Sequence, residues 1–421
     1  MAGKLRSVFR HIVEAVIVFL LIVYIPALPP DLEFSQVRYK APMALEGPLA
    51  PNRVLDKGEH LFEGKIKGPE SIAIFGGEIY TGIHGGEIIK ISNDKYEPVV
   101  KLGKTCDGVV EEEKCGRPLG LRFDSKGDLF VADAYYGLFK VDVKKRAFTQ
   151  LVSMDEPISG KKPKFPNSID IAKDGKVYWT DSSTEVDLQN GVFALLGDRS
   201  GRLIKYDPVS KTNEVLLDKI RFANGVCLSP DEDYVLVSET MGYRILRYYL
   251  KGPKAGRSDV FLDGLPGVPD NIKPNGEGGF LITLITQRDK GQFDLVAFLG
   301  KYPIIQKFFA RMLMLIEMTF SSVEMIMPNA YTKKAVHWIG NFESIQFMIP
   351  SGARALDVDS KGKIIGSLHC SDGSLTSISE VVFHDRTYYL GSPYNTYLGR
   401  VKTRIPIHIK MADLPGGVEK S

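Results

Sequence analysis

From Gly68 onward the chain repeats one small pattern six times, and this repetition restricts the fold more than any other feature of the sequence. Each unit opens on a polar residue, runs as an apolar-x-apolar strand, turns at Gly or Asp and returns as a second apolar strand. The units are Gly-Pro-Glu-Ser-Ile-Ala-Ile from Gly68, Arg-Pro-Leu-Gly-Leu-Arg-Phe from Arg117, Pro-Asn-Ser-Ile-Asp-Ile from Pro166, Ala-Asn-Gly-Val-Cys-Leu from Ala223, Pro-Asp-Asn-Ile-Lys from Pro269 and Ile-Ser-Glu-Val-Val-Phe from Ile378. Turn signals such as Asp-Ser-Lys-Gly-Asp (124–128), Lys-Asp-Gly-Lys (173–176) and Asp-Ser-Lys-Gly-Lys (359–363) separate the strands, which marks consecutive β-hairpins. Five successive starts lie about 50 residues apart and the last interval is about twice that, the spacing of four-stranded blades. The fold class predicted is therefore all-β, a six-bladed β-propeller over residues 61–405 with a helical insertion before the last blade. The insertion is expected near residues 304–326, where Phe308, Phe309, Met312, Leu313, Leu315 and Ile316 are interleaved with Lys307, Arg311 and Glu317. Such a helix can pack on the rim, form a lid over the tunnel mouth or contact a membrane.

Lys and Arg outnumber Asp and Glu only 54 to 51 over 421 residues and form no basic stripe, so a nucleic-acid partner is excluded. The N-terminus is more informative. After Lys4, Arg6 and Arg10, residues 12–28 form an apolar segment of 17 residues interrupted by Glu14 and followed by Pro29 and Pro30. This predicts an uncleaved signal anchor at 12–28 behind a cytosolic tail of residues 1–11, since basic residues stay on the cytosolic side. The protein is then a single-pass type II membrane protein with its bulk in the lumen or outside the cell, at the plasma membrane or endoplasmic reticulum. Residues 29–60, rich in Pro and polar side chains, read as a stalk, and residues 406–421 as a C-terminal tail. An oxidising compartment suits Cys106 and Cys115, which bracket a short acidic loop that a disulfide can close; Cys227 and Cys370 read as buried free thiols.

In a propeller the first strand of each blade lines the central channel, so equivalent positions at the strand starts converge on one axis. Here these are Glu70, Leu119, Asn167, Asn224, Asp270 with Asn271, and Glu380. Five of the six blades thus place an oxygen-bearing side chain there, and a mixed carboxylate and amide set suits Ca²⁺, which takes oxygen ligands. The seven histidines include no His-x-x-x-His pair and no Cys-x-x-Cys occurs, which sets zinc aside.

The segments Cys-Gly-Arg-Pro-Leu-Gly-Leu (115–121), Leu-Phe-Val-Ala-Asp-Ala-Tyr (129–135), Tyr-Trp-Thr-Asp-Ser-Ser (178–183), Ala-Asn-Gly-Val (223–226) and Pro-Asp-Asn-Ile (269–272) resemble the strictosidine synthase-like branch of the calcium-dependent phosphotriesterase and paraoxonase propellers. The resemblance implies a central Ca²⁺ held by Glu70, Asn167, Asn224, Asp270 and Asn271, and a Cys106–Cys115 bridge before the Gly-Arg-Pro motif. It also implies a catalytic glutamate at the start of the last blade, a place that Glu380 takes. Paraoxonases carry a histidine dyad where this chain has Leu119 and Ala134, neither of which moves a proton. Glu380 and Asp181 are the candidates for general acid or base. The expected activity is a calcium-dependent, arylesterase-like hydrolysis of small hydrophobic esters or lactones near a membrane. The alternative is a non-catalytic, calcium-stabilised propeller serving as a surface receptor or adhesion module, with a protein partner that the sequence does not identify.

Overall fold

The computed structural model describes residues 2–30 and 32–403. Its strands form six four-stranded antiparallel sheets. The innermost strands are Ile72–Phe75, Pro118–Phe123, Pro166–Ile171, Ala223–Leu228, Gly267–Pro274 and Glu380–His384, the strands of the six sequence units in order. Each lies against the next, and the last returns to the first, where Ser379 Oγ donates to the Glu70 carbonyl at 3.1 Å. Five sheets are built from strands consecutive in the chain. In the sixth, the outer strand is supplied from far upstream: Glu59–Leu61 pairs with Leu398–Lys402, with Leu61 opposite Leu398. The arrangement is propeller-like, and its two ends are joined by that pairing.

Local chemistry explains the hairpins. Asp124 Oδ1 accepts from the backbone N–H groups of Lys126 and Asp128, both at 2.9 Å, and Gly127 takes a φ of 86° that an L side chain rarely adopts. Between sheets, alternating residues of the strands interdigitate: Leu236 and Ile245 meet Ile282, Leu356 and Val358, and Leu138 meets Val177, Trp179 and Ile204. Each such side chain contributes roughly 1.5–3 kcal/mol by leaving water. Cys106 and Cys115 are joined by a disulfide, and Cys227 and Cys370 are buried free thiols.

The N-terminal helix is Ala2–Tyr24, and its apolar stretch, Lys4–Tyr24, has a mean hydropathy of 2.0. Two expectations need correction. Residues 29–60 are not a free stalk. Leu32, Leu49 and Leu55 are buried, Val37 N donates to Gly300 O, Met43 N donates to Gly264 O, and the segment ends in the strand that completes the sixth sheet. Its apolar residues are too widely spaced to show a period, yet Leu32, Leu49 and Leu55 each join a different core cluster. The helical segment is larger than expected: Leu295–Leu299, Pro303–Ile326 and Ala330–Gly340 all lie inside the fifth sheet, between its strands Phe280–Gln287 and Ala353–Val358. Pro303 opens the long helix at its first turn, and Asn329 Oδ1 caps Ala330–Gly340 by accepting from Tyr331 N and Thr332 N. The expected tail at 406–421 lies outside the described residues.

Candidate metal site and cavity

The site begins as four irregularities in strand pairing. In the second to fifth sheets the register of the inner strand slips between Pro118 and Gly120, Pro166 and Ile169, Ala223 and Val226, and Pro269 and Ile272. Inside those slips stand Leu119, Asn167, Asn224, Asp270 and Asn271. A bulge re-aims the side chain it carries, and here it acts at one register position in four neighbouring sheets. Two glycines allow the strands to close up at this level: a Cβ on Gly120 would stand 2.6 Å from Asn167 O, and one on Gly225 would stand 2.5 Å from Asp270 O.

A cavity of about 490 Å³ opens here, with Glu70, Asn167, Asn224 and Asp270 on its wall and Leu119, Phe165, Phe222 and Val268 among its apolar lining. Hydroxyls behind the ring hold it in place. Asn167 Nδ2 donates to Ser182 Oγ at 3.1 Å, and Ser182 in turn donates to Ala223 O at 2.7 Å. Thr180 Oγ1 donates to Asn224 O at 2.7 Å, and Thr240 Oγ1 to Pro269 O at 2.9 Å. With its nitrogen engaged, Asn167 has its oxygen left over. Asn167 Oδ1, Asn224 Oδ1 and Asp270 Oδ1 are all buried with no hydrogen-bond partner among the described residues. A buried unsatisfied acceptor costs roughly 1–3 kcal/mol, a cost that a cation bound among the three would relieve.

The electrostatics agree. Burial pushes the Glu70 carboxyl up to about 7, with Arg117 opposing and the charges of Glu380 and Glu112 adding to the rise. Asp270 is raised well above the usual carboxylate range by burial and then by Glu70. Arg117 Nη2 lies 3.9 Å from Glu70 and donates to Pro393 O at 3.2 Å, while Nη1 donates to Gly68 O at 2.8 Å. The donor set is oxygen throughout, which fits Ca²⁺ and not a soft metal. Asn271 is one residue deeper and off the cavity wall; its N–H donates to Ser379 O at 3.1 Å, and its Nδ2 is buried without a partner among the described residues.

The two proton-handling candidates are placed elsewhere. Neither Glu380 nor Asp181 lines the cavity. The ring position of the last sheet belongs to Ser379, so Glu380 lies one residue further along the strand. Its carboxylate accepts from Ile72 N at 2.5 Å and Ser71 Oγ at 3.0 Å and pairs with Lys273 Nζ at 3.3 Å. Burial raises its pKa against the pull of Lys273. Asp181 accepts from Arg202 at 2.7 and 3.2 Å, from Phe165 N at 3.0 Å and from Lys164 N at 3.3 Å; burial moves it to about 6 despite those donors. Both carboxylates are spent on the fold.

Beside Glu70 and Asp270, the cavity wall carries His84 and Glu112, which the repeat pattern does not reveal. His84 Nδ1 lies 2.5 Å from Glu112 Oε1, and its Nε2 lies 3.1 Å from Pro393 O. Both ring nitrogens face oxygens, and against its burial the nearby imidazole and the Arg117 guanidinium hold the Glu112 carboxyl below its usual range. Glu112 belongs to the loop closed by the Cys106–Cys115 disulfide, where it is the middle one of three consecutive glutamates. Glu111 turns outward to Lys114 and Lys333, and Glu112 turns inward to His84 and, at 3.6 Å, Arg117. The acidic loop between two cysteines was the available signal, but nothing in the sequence separates one glutamate from the next.

Residues 47–91 match the N-terminal region of the strictosidine synthase-like family and residues 167–253 the strictosidine synthase family. The chain is 42% identical to the adipocyte plasma membrane-associated protein hemomucin of Drosophila melanogaster, over 95% of this chain and 70% of that one. It is 37% identical to adipocyte plasma membrane-associated protein of Rattus norvegicus over 86% of this chain and 90% of that one, and 37% identical to that of Homo sapiens over 89% and 84%. Among solved structures, a gluconolactonase from Xanthomonas campestris superposes with a TM-score of 0.51 at 13% identity, covering 89% of this chain and 98% of its own.

Proposed function

The chain belongs to the adipocyte plasma membrane-associated protein family, and from that premise we propose that it is a membrane-anchored, calcium-dependent hydrolase of small hydrophobic esters or lactones. The observation that carries this reading is the juxtaposition, in one cavity, of three unpartnered buried oxygens, two carboxylates of raised pKa and apolar walls. The six sheets act as the blades of one propeller, closed by Glu59–Leu61. Glu70, Asn167, Asn224 and Asp270 would hold Ca²⁺, with Asn271 bracing the ring. The bound ion would supply Lewis-acid polarisation of an ester or lactone carbonyl. Leu119, Phe165 and Phe222 seat the apolar part of the substrate and exclude water. The Glu112 carboxylate, on the cavity wall, would accept the proton of the attacking water and pass it to the leaving oxygen, with His84 and Arg117 orienting it. Arg117 favours the ionised form of Glu112 and opposes, without cancelling, the rise that burial gives Glu70. Glu380 and Asp181 act as positioning residues, the first beneath the ring and the second behind Phe165. The N-terminal helix anchors the protein with Lys4, Arg6 and Arg10 on the cytosolic side and the propeller in an oxidising space, where the disulfide persists.

One observation favours the alternative of a calcium-locked binding module: Leu119 interrupts the ring of polar residues with an apolar side chain, leaving no imidazole there. The two readings separate in one assay. Full-length protein in detergent micelles is tested on phenyl acetate and a small lactone panel, with and without chelator, beside Glu70→Gln and Glu112→Gln. Hydrolysis lost on chelation and in both variants supports the enzyme. A folded, calcium-loaded protein without activity above background overturns it in favour of the binding module.

A further inference from the structure

The helix Pro303–Ile326 is built the wrong way round for water. Gln306, Ala310, Arg311 and Glu317 are its buried residues, and Ile304, Phe309, Ile316, Met318, Phe320, Val323, Met325 and Ile326 are exposed. A surface helix of a soluble domain shows the opposite pattern, and an apolar strip of this length needs a covering.

The structure also indicates what covers it. Phe308 packs on Phe19 of the N-terminal helix, with ring centroids 4.9 Å apart. Arg311 is buried, and its Nη1 donates to the carbonyls of Ile22, Val23 and Ile25 at 3.1, 2.9 and 3.0 Å. The guanidinium thus caps the end of the N-terminal helix and locks it to the helical segment. Phe19 lies five residues before Tyr24, about 7.5 Å along the helix axis, so Phe308 is held at that depth once the helix crosses a bilayer. From there an aromatic strip leads to the cavity: Tyr302 and Phe298 are 5.3 Å apart, and Phe298 and Phe293 are 5.7 Å apart. Phe293 and Leu295 form one rim of the cavity, and Ile345 and Met348 form another, so both rims belong to the helical segment.

We propose that residues 293–348 lie in the phospholipid leaflet on the propeller side of the membrane, and that the cavity opens onto that leaflet. A ligand with a long apolar tail, such as an acyl ester, then reaches Glu70 and Asp270 from the lipid without crossing water. Continuity with the N-terminal helix singles out a bilayer as the occupant, because the strip begins on a helix long and apolar enough to cross one. The inference rests on the reading of that helix as a membrane anchor.

The test keeps the two apart. Single cysteines are introduced by Leu20→Cys in the anchor, Phe293→Cys and Phe347→Cys at the rims, and Val209→Cys on an exposed turn. The side chains replaced at the last three positions are 75%, 84% and 92% exposed, and the native thiols are buried or bridged, so labelling is selective. Each full-length variant carries an environment-sensitive fluorophore in phosphatidylcholine vesicles containing doxyl-lipid quencher. Quenching at Phe293 and Phe347 of about half or more of that at Leu20, with Val209 unquenched, is expected for an interfacially seated segment. Quenching at Leu20 alone overturns the proposal and leaves the anchor intact; a protein partner would then be the covering. No quenching at Leu20 overturns the anchor and the proposal together.

Discussion

The cavity wall and the strands behind it each bury two carboxylates, and they treat them in opposite ways. At the cavity, Glu70 and Asp270 are buried beside amide oxygens that have no hydrogen-bond partner among the described residues, and both carboxyls are raised in pKa. Below and behind it, Glu380 is held by Ile72 N, Ser71 and Lys273, and Asp181 by Arg202 and two backbone N–H groups. Burial is equally complete in the two places. The difference is that the second pair is met by donors of the fold, whereas Asp270 Oδ1 and the amide oxygens of Asn167 and Asn224 have no partner among the described residues. Satisfaction of the oxygens, more than burial or charge, separates a site from a strut.

That contrast can be broken most forcefully at the strut. Asp181→Ala leaves the buried Arg202 guanidinium without its carboxylate and is expected to destabilise the fold by roughly 3–5 kcal/mol, read as a drop in Tm with or without calcium. At the ring the effect should depend on calcium instead. The wild-type chain should gain about 2.7 kcal/mol at a calcium concentration 100 times Kd, and Glu70→Gln should lose this gain while the metal-free protein keeps or raises its Tm at neutral pH. If calcium leaves the wild-type Tm unmoved, the ring is a strut as well. Ser182→Ala frees the Asn167 amide to rotate and should weaken calcium binding by about ten- to a hundredfold in a titration, without affecting Asp181.

The smallest effect expected is that of pH. Glu70 ionises near 7 in the metal-free fold against an ordinary 4.5, so protons compete with calcium below about pH 7. Affinity should rise with pH by at most about tenfold per unit for each proton displaced, and level off above 7. The metal-free fold runs the other way. A carboxyl raised in the folded state contributes stability that is present below 4.5 and lost as pH rises through 7, so calcium should stabilise most at the alkaline end. A calcium affinity flat between pH 5.5 and 7.5 would remove Glu70 from the ligand set.

Much of this was legible beforehand, and the reason is periodicity. The six units coincide with the six inner strands, and Asn167, Asn224 and Asp270 occur at one position in their units because one bulge recurs in their sheets. The long helix was visible as an apolar stretch, beginning one residue earlier than expected. Glu380 was misplaced by a single residue: the unit Ile-Ser-Glu aligns with the others by eye, but the hydrogen bonds of Ser379 assign the ring position to serine. A slip of one in a strand sends the side chain to another level. His84 and Glu112 were invisible for another reason, since they come from a hairpin end and a disulfide loop that share no repeat.

What the amino-acid order determines by itself is whatever a local pattern encodes: hairpins from alternating residues and Asp-Gly turns, a long N-terminal helix from an apolar run, and a ring from a position repeated at nearly regular spacing. Tertiary structure alone decided which oxygens are left without partners, which of three adjacent glutamates turns inward, and that Arg311 clamps the N-terminal helix to the segment framing the cavity. These depend on contacts between residues as many as 289 positions apart, and no local rule reaches that far. Backbone geometry repeats along a chain, but the matching of donors to acceptors is settled only where distant segments meet.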